Sequence, residues 1–274
     1  MRRFQFLWVI TFFFISCDDP SLNQQDIDGD GFVEPILELK QLSTIDIAQN
    51  VMTNITEDIN IQYNQQELVR QISFNGVSNT VYTFQYAENN RLEAAVKTDD
   101  SIITTYNFTY INDTVFIEYV DTNGDVVEKQ LFTDNQNRIN RVVTTITGST
   151  GNTVQTEDLR YRYTANFNVD RIDSIDSNGF SIISYSEFTY EFNNNPFRDM
   201  NDVLRLLVFP EFVPYTRYLP KSRNDFAATA SGFDLERSFN YTYTLRDDEF
   251  PSLRDVTKTE GGTTTTSFEF FNYL

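Results

Sequence analysis

One thiol stands in the chain, Cys17, and no histidine stands anywhere. Those two facts set the limits on chemistry. Without histidine there is no imidazole base for a serine or cysteine nucleophile, and most zinc sites are excluded. A single cysteine allows no internal disulfide and no paired-thiol metal cluster. What remains is carboxylate: Asp plus Glu number 40 against 21 Lys plus Arg, a formal charge of -19. Two carboxylates can act as acid and base on a glycosidic bond, and the adjacent acids Asp99-Asp100 and Asp247-Asp248-Glu249 are the candidates. Both groups sit among turn-forming residues and read as solvated turns, so no catalytic residue is assigned. A phosphate-binding glycine loop, a nucleophile elbow and a metalloprotease helix motif are all missing from the sequence. So negative a surface repels phosphate backbones and argues against a nucleic-acid partner, while it suits divalent cations or a basic partner.

A second set of oxygens is spaced for a cation. Asp26, Asp28 and Asp30 alternate, Gly31 follows, and Phe32 and Glu34 continue the alternation. Converging carboxylates with a glycine at the sharp turn are what a calcium loop needs, and the run resembles part of an EF-hand-like loop. At the position of the bidentate glutamate of an EF-hand stands Leu37, and no flanking helices are evident. Calcium bound by Asp26, Asp28, Asp30, Phe32 and Glu34 is one reading, and a solvated acidic spacer is the other.

The start of the chain reads as an address. Met1-Arg2-Arg3 is cationic, and Phe4 to Ile15 is apolar except for Gln5 and Thr11. As a helix that run would rise about 18 Å, too short for a hydrocarbon core of about 30 Å. A charged start and a short apolar run read as a secretory signal over residues 1–16. Phe14-Ile15-Ser16-Cys17 resembles the lipobox of bacterial lipoproteins: Ser16 and Cys17 fit it, while Phe14 replaces the usual leucine and Ile15 is bulkier than usual. The resemblance implies cleavage before Cys17 and lipidation of its thiol, which would anchor the chain to a membrane. Asp18 and Asp19 resemble the acidic export signal of Bacteroidota surface lipoproteins, which implies the outer face of the outer membrane. Retention on the periplasm-facing side is the alternative. Residues 17–35 then form the lipidated cysteine and a flexible acidic tether.

Residues 36–274 read as a single β-rich domain. Aromatics recur with period two: Tyr82, Phe84 and Tyr86; Tyr106, Phe108 and Tyr110; Leu159, Tyr161 and Tyr163; Phe188, Tyr190 and Phe192; Phe239, Tyr241 and Tyr243; Phe268 and Phe270. One aromatic face and one polar face mean half-buried antiparallel strands. Asn and Gly clusters such as Asn89-Asn90, Asn123-Gly124 and Gly261-Gly262 separate them. Asn-Arg-aliphatic steps (Asn90-Arg91-Leu92, Asn137-Arg138-Ile139) and a similar Asp170-Arg171-Ile172 recur after turns, which reads as a degenerate hairpin repeat. The expected architecture is all-β, an antiparallel sheet or a closed or partly closed barrel of roughly 12–16 strands. One stretch breaks the pattern. Asp202-Val203-Leu204-Arg205-Leu206-Leu207 suits a short helix near 201–208, with Asp202 as its cap, and Pro210, Pro214 and Pro220 oppose a regular strand. This insertion should cover one end of the sheet.

The aromatic hairpins, Asn195-Pro196-Phe197 with its Leu-rich continuation, and the lipoprotein-like start together resemble the uncharacterised DUF4595-like lipoproteins of Bacteroidota. The resemblance implies a porin-like β fold and no activity. A membrane-spanning barrel is disfavoured, because the aromatics fill strand centres and do not form girdles. The expectation is a non-catalytic envelope lipoprotein with an interaction or structural role, partnered by an envelope protein. A surface protein binding a glycan or another ligand through aromatic residues is the alternative.

Overall fold

The computed structural model describes residues 39–48, 51–76, 79–198, 200–209 and 216–273. Cys17, Asp18, Asp19 and the 26–34 loop lie outside the described residues.

The first eight strands are β1 (Leu39–Ala48), β2 (Val51–Tyr63), β3 (Val69–Gly76), β4 (Thr80–Tyr86), β5 (Leu92–Asp99), β6 (Ile102–Ile111), β7 (Thr114–Val120) and β8 (Val126–Thr133). Then come β9 (Ile139–Thr147), β10 (Thr153–Tyr163), β11 (Val169–Ile175), β12 (Ile182–Asn194), the helix α1 (Asp202–Val208), β13 (Tyr218–Thr229), β14 (Gly232–Leu245), β15 (Pro251–Glu260) and β16 (Thr263–Tyr273). Each strand pairs antiparallel with its neighbours in sequence, and β1 pairs with both β2 and β16, so the order closes into an up-and-down barrel. Closure leaves no sheet edge for another chain to extend.

Period two places the core. Tyr82 and Phe84, Tyr106 and Phe108, Tyr161 and Phe188 are buried, with Ile72, Leu92, Ile117, Leu131 and Ile139 among them. Each such side chain removed from water contributes about 1.5–3 kcal/mol. The outer face at mid-height is polar: Asn107, Thr109, Glu118, Thr189, Asn240 and Thr242 are all exposed. A membrane-spanning barrel would carry an apolar band there.

Two aromatic expectations are corrected. Phe268 and Phe270 do not share the core face. Glu269 pairs across with Arg254, which pairs with Tyr243, so Glu269 and the buried Phe271 point inward and Phe268 and Phe270 point outward. The run Phe268-Glu269-Phe270-Phe271-Asn272-Tyr273 offers two aromatic registers, and the sheet takes the second. Phe192 also leaves the core face, because the β12–β13 register shifts between Glu191 and Asn194; it is largely exposed and its ring lies 5.3 Å from Tyr218.

Barrels of this strand number can enclose an open channel. Here the described residues of the insertion between β12 and β13 fill one end of the lumen. Phe197, Met200, Val203, Leu204, Val208 and Phe209 join the same core cluster as the strands. The Phe209 ring lies 5.9 Å from Phe74, on the far side of the chain at β3. The α1 cap is Asn201, not Asp202: the Asn201 Oδ1 accepts from the Val203 and Leu204 amides at 3.0 and 3.2 Å. Asp202 instead accepts from the fully buried Arg205, whose other amino group donates to the Phe197 carbonyl at 2.9 Å. Burial raises the Asp202 carboxyl above its ordinary range, against the pull of Arg205. Pro220 does lie within a strand, β13, beside a register shift where its missing amide is tolerated.

Candidate functional site

Antiparallel strands send alternate turns to opposite ends of the barrel. One end holds the turns 64–68, 87–91, 134–138, 164–168 and 246–250, together with the insertion. We call it the closed end, and the other the open end.

The closed end explains the hairpin repeat. Its five-residue turns put Glu67, Asn90, Asn137, Phe167 and Glu249 at φ between 61 and 64°. In each, that residue's amide donates to the carbonyl three back, as Asn90 does to Ala87 at 3.0 Å. This is a type I turn closed by a left-handed residue, a bulged hairpin. The tyrosine ending the next strand then ties down to the start of its neighbour: Tyr86 to the Val69 carbonyl at 2.8 Å, Tyr163 to Ile139 at 2.6 Å, Tyr243 to Pro220 at 2.6 Å and Tyr273 to Pro251 at 2.8 Å. Burial pushes the hydroxyl pKa up at each, so they remain donors. The arginine of the Asn-Arg-aliphatic step covers a tyrosine ring, Arg91 over Tyr110 at 5.2 Å and Arg138 over Tyr163 at 4.4 Å. Asp170-Arg171-Ile172 does not belong to this rule. Its Arg171 lies inside β11 and stacks on Tyr185 at 3.7 Å on the outer face.

Toward the open end the inward face changes character. Residues directly opposite on paired strands share a face. Tyr161, Ile172, Ser186, Asp225, Arg237 and Glu260 form one such row, and Phe188, Arg223, Phe239 and Lys258 the row beside it. Asp225 is buried. Its Oδ1 accepts from Ser186 Oγ at 2.6 Å and from Arg223 Nε at 2.7 Å, and its Oδ2 lies 3.2 Å from Arg237 Nη2. Lys258 pairs with Glu260 at 2.5 Å, and Lys97 with Asp99 at 3.1 Å. Lys129 lies 3.6 Å from Glu157, which also accepts from Thr144 Oγ1 at 2.7 Å. Hydrogen bonding from Lys97 and Lys258 lowers the Asp99 and Glu260 carboxyls. Deeper in, Arg254 is buried against Glu269, with Nε to Oε2 at 2.7 Å, and lies 5.2 Å from the Tyr241 ring. Burial opposes the Arg254 charge, and Glu269 together with the flanking tyrosines outweighs it and raises its pKa.

Most of this lane is paired within itself, although the buried Asp225 Oδ2 and Arg237 Nε make no hydrogen bond. Ser186 donates to a carboxylate already engaged by two guanidiniums, so it has no free base to activate it as a nucleophile. The cavities beneath measure about 30 Å³, between Phe197, Arg205 and Arg254, and about 50 Å³, between Leu131, Tyr161 and Leu206. Both are far smaller than the roughly 300–1,000 Å³ of small-molecule sites. Among the described residues no cluster of carboxylates suits a metal ion. The acids singled out from sequence are not brought together: Asp99 and Asp100 lie at the open end, and Asp247, Asp248 and Glu249 in a closed-end turn. The polar lane was missed from sequence, although counting back in twos from Phe239 reaches Arg237, and from Phe271 reaches Glu269.

No family model and no curated protein matches the chain. Among solved structures it is similar to a porin-like protein from Bacteroides uniformis, at 13% identity over 88% of this chain and 100% of that one, with a TM-score of 0.41. A porin-like protein from Bacteroides vulgatus is similar at 15% identity over 86% and 99%, TM-score 0.40. The N-terminal domain of the effector protein SpvB from Salmonella typhimurium gives 11% identity over 86% and 92%, TM-score 0.28.

Proposed function

We propose that the chain is a lipid-anchored outer-membrane lipoprotein of the cell surface whose β domain binds and does not catalyse. The observation that carries this reading is the barrel with one end filled by its own insertion, the other lined by mutually paired charges, and a polar outer face at mid-height. Such a body offers surfaces and no reaction centre. The anchor reading rests on Cys17 in its lipobox-like setting, with Asp18 and Asp19 as the export label and a polar segment before β1. The resemblance to DUF4595-like lipoproteins belongs with it. Metabolic labelling with an alkyne fatty acid tests the anchor: the natural chain should label and fractionate with membranes, and Cys17→Ser should do neither. Labelling of Cys17→Ser, or a natural chain left wholly in the soluble fraction, overturns it. Protease added to intact cells should remove the domain; protection until the outer membrane is opened places it on the periplasmic side.

Glycan binding is the second reading. It is favoured by the outer-face aromatics Tyr185 and Phe226, stacked at 4.7 Å, and Phe233 at 5.0 Å from Tyr185. Aromatic faces of this kind pack against sugar rings, and a glycan array without signal rejects it. Calcium at Asp26, Asp28, Asp30, Phe32 and Glu34 remains part of the proposal, and a calorimetric titration without heat at millimolar calcium rejects that site.

A further inference from the structure

We infer that the open end is a docking surface for a cationic, amphipathic segment of a protein partner. The inference rests on the binding reading above and names where and with what the domain binds. Among the described residues, most of the large exposed apolar side chains collect at this end. Phe180 is 90% exposed and Ile103 69%, and Val120, Val154, Ile183 and Leu235 are exposed with them. They flank the turns 99–103, 120–126, 147–154, 176–183 and 228–236, and with Phe233, Phe226 and Tyr185 they continue onto the outer face.

The charge at the same place is mostly negative: Lys97, Arg237 and Lys258 approach it from the strands, already paired with Asp99, Asp225 and Glu260, and Arg160 Nη2 donates to the Gly179 carbonyl at 3.2 Å. The turns themselves contain Asp99, Asp100, Asp121, Asp125, Asp176, Asp234 and Glu236 and not one Lys or Arg. Two of these acids are fixed by the backbone. Asp121 accepts from the Asp125 and Asn123 amides, both at 2.9 Å, and Asp176 from the Phe180 and Ser181 amides at 3.0 and 3.2 Å. These bonds hold both carboxyls below their ordinary range, so the acids stay charged. Exposed apolar area ringed by fixed negative charge fits a partner with apolar residues and Lys or Arg. It repels an anionic lipid surface. Leu39, at the start of β1, pairs with Tyr273 at the closed end, away from this surface.

The test uses the full chain without its signal segment and a fluorescent lysine–leucine amphipathic peptide as probe, read by anisotropy. Phe180→Ser/Phe233→Ser/Leu235→Ser should weaken binding about tenfold or more, as should Asp100→Asn/Asp234→Asn/Glu236→Gln. Raising salt from about 0.1 M to about 0.5 M should weaken the natural chain's binding and act far less on the charge variant. A closed-end control, Glu88→Gln/Asp247→Asn/Phe192→Ser, should stay within about twofold. All the substituted side chains are outside the core, so unchanged thermal unfolding checks that each variant folds. The inference is overturned if the peptide does not bind, if the control loses as much as the rim variants, or if phosphatidylglycerol vesicles bind in its place. Photo-crosslinking in cells separates this from the reading beneath it. A partner captured only from closed-end positions rejects this site and leaves a binding domain; no partner at either end rejects the binding reading itself.

Discussion

The two ends of the barrel reverse direction by the same hairpin geometry and pay for it differently. At the closed end, Glu67, Asn90, Asn137, Phe167 and Glu249 hold the left-handed turn position. At the open end the corresponding residues are Gly124, Gly151 and Gly179, at φ 85, 81 and 79°. A side chain there costs about 1 kcal/mol. The closed end tolerates that cost because tyrosine ties, arginine–ring contacts and the α1 insertion fix the same backbone from above. The open end has no such ties, and three of its turns adopt the conformation through glycine, while Asp100 holds it at φ 52° in the tight β5–β6 turn. In the five-residue turns, the non-glycine residues at this position stand where packing over-determines the structure.

The contrast can be broken at its strongest point first. Arg254→Ala leaves Glu269 buried without its partner and should cost about 3–5 kcal/mol in denaturant unfolding, and adding Glu269→Gln should recover part of it. Leu204→Ala removes a fully buried side chain from the α1 plug and should cost about 2–5 kcal/mol. Tyr163→Phe deletes one tie and strands the Ile139 carbonyl, for about 1–3 kcal/mol. The turns then sharpen the comparison. Gly124→Ala meets nothing within 4 Å, so only its φ opposes it, and it should lose about 1 kcal/mol. Glu67→Gly should change stability by less than about 0.5 kcal/mol or raise it. Smallest is an acid effect at two open-end turns. Asp121 and Asp176 titrate lower folded than unfolded, so their contribution is present above the unfolded value of about 3.9 and is lost as pH falls through the folded ones. Asp121→Asn should therefore flatten the stability profile below about pH 4.

Much of the barrel was legible because period two is a strong signal wherever one face is aromatic. Tyr82–Phe84, Tyr106–Phe108 and Leu159–Tyr161 all fell on the inward side. The signal failed where both parities were aromatic, at Phe268 to Tyr273, and where a bulge swapped faces, at Phe192. The short helix was legible from its Leu-rich run, but not its cap, because Asn201 and Asp202 are both good caps and only Arg205 decides that Asp202 turns away. The inward charges were hidden for a different reason. Taken singly, Arg223, Asp225 and Arg237 look like solvated residues, and only the cross-strand register shows them sharing a face. The open-end rim depends on which turns lie together, and that follows from counting strands and not from any local motif.

The pairing of β1 with both β2 and β16 has a mechanical consequence. β1 meets β16 from Leu39 opposite Tyr273 to Ile47 opposite Thr266, and β2 from Gln41 opposite Asn60 to Ala48 opposite Val51. A pull on the chain ahead of Leu39, directed along the barrel axis, loads both ladders in shear. Their hydrogen bonds then share the force instead of opening one after another, so β1 is held by a ladder on each side over most of its length.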